Sequence, residues 1–214
     1  MSATFLPGFD VLAAYTLAAC VLIITPGPDM TLFLGQTLAG GRARGFASML
    51  GVSAGLVLHS LLAAFGLSAL LATSATAFGV LKIAGIAYLL WLAFQALRYG
   101  SAFSLTNDTK SPTLTRAFLT GLGVNLLNPK IIVFFLTFLP QFVSVSDPHA
   151  GAKLMFLGLY FIALGVPICA LLILAAERFT GAVRRSPNAM RAIDYLFAGL
   201  MGAFAVRLLF ARGA

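Results

Sequence analysis

Apolar stretches long enough to cross a bilayer recur along the chain, separated by short polar or basic connections. Windows of about 20 apolar residues, the length a membrane-crossing helix needs, fall near residues 10–39, 45–72, 76–98, 115–144, 152–176 and 191–211. The pattern predicts an all-α integral membrane protein of six transmembrane helices. Two of these spans are interrupted. Thr25-Pro26-Gly27-Pro28-Asp29 breaks the first, at 26–28, and Asn128-Pro129-Lys130 breaks the fourth, at 128–129. Proline has no N–H to donate and disfavours helix at the residue before it, so each break leaves backbone groups without intrahelical partners. In lipid such groups persist only when buried in protein or lining a wet cavity.

One proline kink is ordinary in a membrane helix, whereas a matched pair carries information. Discontinuous helices at corresponding positions of two halves are a sequence pointer to a transport site. Pro26 and Asn128 are about 102 residues apart, and three spans lie on each side of a polar segment at about 99–114. Three is odd, so a repeated three-span unit enters the membrane in the opposite orientation the second time. Halves of about 1–100 and 112–214 therefore read as a 3+3 inverted repeat within one transmembrane domain, 1–214, joined by a cytoplasmic linker.

Composition agrees with this class. Of 214 residues, 60% are apolar and 9% charged, against about 25% charged in a soluble domain; the mean hydropathy is +1.00. The net charge of +8 is scattered at the ends of apolar runs rather than gathered in a nucleic-acid footprint. Arg42, Arg44, Arg98, Lys110, Arg116, Arg178, Arg184, Arg185 and Arg191 fall in odd connections, while the even connections and termini hold only Lys153 and Arg212. Basic residues favour the cytoplasmic side, which places the odd loops inside and both termini outside. Leu17-Ala18-Ala19-Cys20 resembles a lipoprotein cleavage box, but no Lys or Arg precedes it and the apolar run continues beyond it, so the first span is expected to be retained.

The chemistry beside the breaks suggests a binding site. Pro28 and Pro129 suit a first helical turn, where a missing N–H costs nothing, and Asn128 is a good N-cap. A helix start within the membrane presents free N–H groups and partial positive charge. With Lys130 adjacent, the two starts suit a carboxylate, and Asp29 suits an ammonium group or a proton. Each ion costs about 2.5–3.5 kcal/mol near a span centre, so neither is expected to face lipid. The plainer alternatives are that Asp29 caps its half-helix and that Lys130 snorkels or pairs with it. Gly51, Gly55 and His59 share one face of the second span, expected to be buried against another helix. His59 serves there as a proton relay or as a hydrogen-bonded packing residue. Lys82 is a further coupling candidate, with snorkelling as its alternative, and Arg207 is expected to snorkel. Phe134, Phe135 and Phe138 read mostly as lipid-facing or packing residues, with one or two of the aromatics lining the path, and Tyr88 and Trp91 as packing residues rather than substrate contacts.

Thr25-Pro-Gly-Pro-Asp-Met30, Gly51-x-x-x-Gly55-x-x-x-His59, Lys82-Ile-Ala-Gly-Ile-Ala-Tyr88 and Asn125-Leu-Leu-Asn-Pro-Lys130 together resemble, in this order and over nearly the whole chain, the LysE/RhtB family of amino-acid exporters. The chain is more similar to the homoserine/threonine/leucine branch than to the lysine branch. The resemblance implies a bacterial inner-membrane exporter of amino acids or close derivatives, driven by the proton gradient. The family's pattern also admits Asn at the position of Asp29. The substrate-binding or coupling set expected on these grounds is Pro26, Gly27, Pro28, Asp29, Asn125, Asn128, Pro129, Lys130, His59 and Lys82.

Two rival classes fit the chain less well. A membrane thiol–disulfide carrier would need cysteines at equivalent places beside the breaks, whereas Cys20 and Cys169 are about 149 residues apart and read as buried apolar residues. A cation or metal carrier of related architecture would want several carboxylate or His ligands in the membrane, and only Asp29 and His59 qualify. No hydrolase triad or nucleotide motif is present, so the expectation is a transporter rather than an enzyme, without a cofactor, energised by a gradient. Its partners are an amino-acid substrate, protons and membrane lipid, with no nucleic acid; surface glycines permit a homodimer.

Overall fold

The computed structural model describes residues 7–67, 113–144, 147–176 and 186–210, with Arg178 and scattered positions from Ile83 to Arg98. Every described element is helical. Helices α1 (Phe9–Ile24) and α2 (Pro28–Gly40) form one bent pair with an angle of 49° at the break. Helix α3 (Arg42–Leu61) continues into a π-helical turn at Leu62–Leu67. Helices α4 (Leu114–Leu126) and α5 (Pro129–Val133) follow, and α5 passes into a π-helical turn at Phe134–Phe138 and a 3-10 turn at Leu139–Phe142. This second pair bends by 51°. Helix α6 runs Ala150–Leu174 and α7 Pro187–Phe210.

The segments Arg42–Gly66 and Ala150–Leu174 each contain an 18-residue stretch of high mean hydropathy, 1.8 and 2.5, and are long and apolar enough to cross a membrane. Counting each bent pair as one crossing gives up to four among the described residues, matching the first, second, fourth and fifth predicted spans. Helix α7 follows the segment predicted as the sixth. Most of the third, with Lys82 and Tyr88, and nearly all of the linker lie outside the described residues, and Trp91 is half-exposed.

Local chemistry sets the helix boundaries. Pro28 and Pro129 each occupy a first turn. The Thr113 hydroxyl caps α4 by accepting from the Arg116 N–H at 3.2 Å. Gly41, with φ of 83°, makes the reversal between α2 and α3 in a conformation that a residue with Cβ rarely adopts.

Helix α3 packs on α4 through small residues. A Cβ on Gly51 would overlap the Phe118 carbonyl, and one on Gly121 would overlap the Ser48 carbonyl. Both obstacles are backbone, so the two helices approach as closely as they do because these positions lack side chains. The expected shared face is present, with Gly51, Gly55 and His59 all buried. Phe134, Phe135 and Phe138 are buried rather than lipid-facing, at 3%, 1% and 2% exposure. They pack with Tyr15, whose hydroxyl donates to the Leu157 carbonyl at 2.9 Å, and with Phe142 and Phe161. This aromatic cluster ties α1, α6 and the irregular turns after α5 into one core, while Met30, Phe33, Leu34, Met49 and Ile173 form a second.

Candidate functional site

The two breaks meet. In an unbroken helix the Thr25 carbonyl would accept from the N–H four residues on, that of Asp29, but the break removes this partner. Its place is taken by Lys130, whose Nζ donates to the Thr25 oxygen at 2.7 Å. Thr25 itself closes α1, with its backbone N–H donating to the Val21 carbonyl at 3.0 Å and its hydroxyl to the same oxygen at 2.7 Å. Gly27 lies in extended backbone open to any residue, so its contribution is space: a Cβ there would stand 3.2 Å from the Lys130 Nζ. Across the gap, the Asn128 side-chain oxygen caps α5 by accepting from the Lys130 N–H at 3.0 Å.

Asp29 does not cap its half-helix. Gly27 holds the N-cap position, and Asp29 stands in the first turn, where its Oδ2 accepts from the Asn125 Nδ2 at 2.8 Å. The other oxygens of this pair, Asp29 Oδ1 and Asn125 Oδ1, are both buried and accept no hydrogen bond from the described residues. A buried acceptor left unpaired costs about 1–3 kcal/mol, and here one stands on each partner of a single hydrogen bond. Asn125 is fully buried, and Gly55 makes room for it, since a Cβ there would overlap the Asn125 Oδ1. Behind it, His59 Nε2 lies 3.4 Å from the Asn125 backbone carbonyl, which can only accept, so Nε2 carries the proton of that bond. The imidazole stacks on Phe135 with centroids 5.5 Å apart.

Thr25, Gly27, Asp29, Asn128 and Lys130 border a cavity of about 70 Å³. Its remaining walls are mainly apolar, from Phe33 on α2, Met49, Val52 and Leu56 on α3, and Phe161 and Val166 on α6. The space exceeds that of a single water, about 30 Å³ in the liquid. Of the residues singled out in the sequence, Gly27, Asp29, Asn128 and Lys130 reach this cavity. Asn125 stands behind Asp29, and His59 behind Asn125. Pro26, Pro28 and Pro129 shape the breaks without bordering the space, and Lys82 lies outside the described residues.

Two participants were missed in the sequence. The Thr25 carbonyl was legible in principle, because Pro26 and Pro28 prevent the helix from continuing to its normal donor. Cys169, read as a buried apolar residue remote from the breaks, is only partly buried and borders the cavity. Nothing local announces it, since α6 reaches the site through tertiary packing. Among the described residues, no three of His, Cys, Asp and Glu gather around one point as a metal ion would require.

Several apolar helices, two of them broken where a carboxylate and an ammonium meet a shared cavity, define a multi-pass membrane protein with a polar site inside the bundle. Residues 20–212 match the family described as LysE type translocator, and the chain belongs to that family. It is thus a bacterial membrane transporter and not an enzyme. A homoserine/homoserine lactone efflux protein of Salmonella typhimurium is 31% identical over 206 residues, covering 96% of this chain and 99% of the relative. An uncharacterized membrane protein of Vibrio cholerae is 34% identical over 190 residues, with 87% and 90% covered. Another, YrhP of Bacillus subtilis, is 33% identical over 144 residues, with 63% and 69% covered. No solved structure matches.

Proposed function

We propose that this protein exports amino acids or close derivatives, of the homoserine type, from the cytoplasm across the inner membrane in exchange for protons. The observation that carries the reading is the placement of Asp29 and Lys130, of opposite charge, on the border of one cavity at the meeting of the two breaks. Ions within a membrane span are costly and are retained where a substrate or ion needs them. A zwitterion offers an ammonium to Asp29 and a carboxylate to Lys130. The carboxylate would draw Lys130 from the Thr25 carbonyl, replacing a neutral acceptor by a charged one, and charge-assisted hydrogen bonds are about twice as strong. The apolar walls suit an uncharged side chain, and among the described residues the cavity border includes no second carboxylate for a dibasic one. The efflux protein that is 31% identical over nearly its full length supports the same substrate type and direction.

In this reading the chain has six spans as a 3+3 inverted repeat, with the third at 76–98, odd loops in the cytoplasm and both termini outside. Two similar halves of opposite orientation give inward-open and outward-open states that exchange around the site. The test is a panel of amino acids loaded into vesicles bearing the purified protein. Homoserine and other neutral amino acids are expected to leave faster than from empty vesicles, and collapse of the pH gradient is expected to slow them. Efflux no faster than from protein-free vesicles across the panel would refute the proposal.

A further inference from the structure

The carboxyl of Asp29 and the side-chain amide of Asn125 share one hydrogen bond, and the second oxygen of each is buried and accepts none of normal geometry from the described residues, with the Asn128 amide standing beside the carboxyl. An ionised carboxylate has no proton to offer, so it cannot serve the Asn125 Oδ1. A neutral carboxylic acid can. With a proton on Oδ1, the acid donates to the amide oxygen while the amide Nδ2 continues to donate to Oδ2, closing a two-bond ring that satisfies both orphaned atoms at once. We propose that Asp29 carries the exchanged proton and that Asn125 is its positioning residue, holding the neutral acid through this acid–amide pair.

The proposal rests on the export reading and gives it a coupling step. The carboxylate takes up one proton to become the acid, with no other bond changed, and releases it on the opposite side. A protonated Asp29 has no charge with which to hold an ammonium group, so proton and substrate compete for one carboxyl, which makes the exchange one for one. The surroundings are consistent with a group that changes charge. Lys130 faces Asp29 from α5, His59 from α3 and Cys169 from α6, each close enough for electrostatic interaction, and the Asn128 amide also stands beside the carboxyl. Gly55 is part of the device, because any side chain there would displace the amide oxygen that receives the proton.

Infrared spectroscopy of the purified full-length protein reads the proton directly. A protonated-carboxyl C=O band is expected that shifts in heavy water, disappears in Asp29→Asn and moves to higher frequency in Asn125→Leu, where both hydrogen bonds are gone; Asn125→Gln, which keeps the amide, should move it less. In vesicles, one-for-one exchange predicts a homoserine gradient of up to about tenfold per unit of pH difference, lost in Asp29→Asn. Absence of any Asp29-dependent band at every pH where the protein is folded overturns the proposal, as does a band unchanged in Asn125→Leu. Should Asn125→Leu fail to fold, the Asp29→Asn and heavy-water comparisons still decide it. A band present without amino-acid efflux would sink the export reading and leave the proton site standing, whereas efflux with no such band would do the reverse.

Discussion

Lys130 donates through Nζ to the carbonyl oxygen of Thr25 at 2.7 Å, across 105 residues of chain. The acceptor exists because Pro26 and Pro28 stop α1, and the donor is placed because Asn128 and Pro129 start α5 just before it. The two interruptions are therefore one structure, in which the defect of one broken helix is satisfied by a side chain from the other. The group that satisfies it is a side-chain cation rather than a second backbone group.

The close approach of α3 and α4 predicts a specific pattern of glycine sensitivity. Gly51→Ala and Gly121→Ala each set a methyl group against backbone and are expected to destabilise the protein by about 1–3 kcal/mol. Gly123→Ala meets open space and should be neutral or slightly stabilising, since alanine favours helix. Thermal unfolding of the detergent-solubilised protein checks this. Equal midpoints for the three variants would contradict the close contact.

The distribution of basic residues predicts the orientation. Reporter fusions after residues 107 and 184 should be cytoplasmic, and those after 74 and 148 external. A cytoplasmic reporter at 74 or 148 would refute both the orientation and the inverted repeat.

Asp147 lies in the connection before α6, where a hydrogen bond from Lys153 and another from the His149 N–H hold its carboxyl below the usual aspartate range. A depressed carboxyl stabilises the fold above its unfolded-state pKa, and the contribution is lost as pH falls through the folded value. Asp147→Asn should therefore lower the thermal midpoint slightly at pH 7, in keeping with about 1 kcal/mol or less for a pair near water. The difference should vanish well below about pH 4. A gap that persisted or widened in acid would show that the charge is not its cause.

Cys20 and Cys169 are both free thiols. Replacing them together with Ala is expected to leave most of the export activity, with any change arising from Cys169 at the cavity wall. Complete loss of transport in a normally inserted protein would revive a redox role.

Proline chemistry explains why so much of this site was legible. Pro26, Pro28 and Pro129 act on their own backbone within a turn, so the breaks could be placed to the residue, and Asp29 and Lys130 stood out as ions that lipid would not tolerate. The partners of those ions were not legible. That Asn125 bonds Asp29, and that Cys169, Phe161 and Val166 wall the cavity, depends on how α4 and α6 pack, which no local pattern encodes. The π-helical turn at Phe134–Phe138 was likewise invisible, because its apolar run reads the same as an ordinary helix.

Asp29 and Lys130 at the meeting breaks form the proposed transport site. It is tested most directly by initial homoserine efflux per inserted protein at two external pH values, in Lys130→Met, Lys130→Arg, Asp29→Asn and the Lys130→Met, Asp29→Asn double variant. Loss of a charged hydrogen bond worth about 1.5–3 kcal/mol predicts a fall of about 10- to 150-fold in Lys130→Met, with part of the rate retained in Lys130→Arg. Asp29→Asn should lose its dependence on external pH, and the double variant should fall less than the single losses combined, because the two charges act on one substrate. Wild-type rates in both Lys130→Met and Asp29→Asn would contradict the account and reduce the two breaks to kinks.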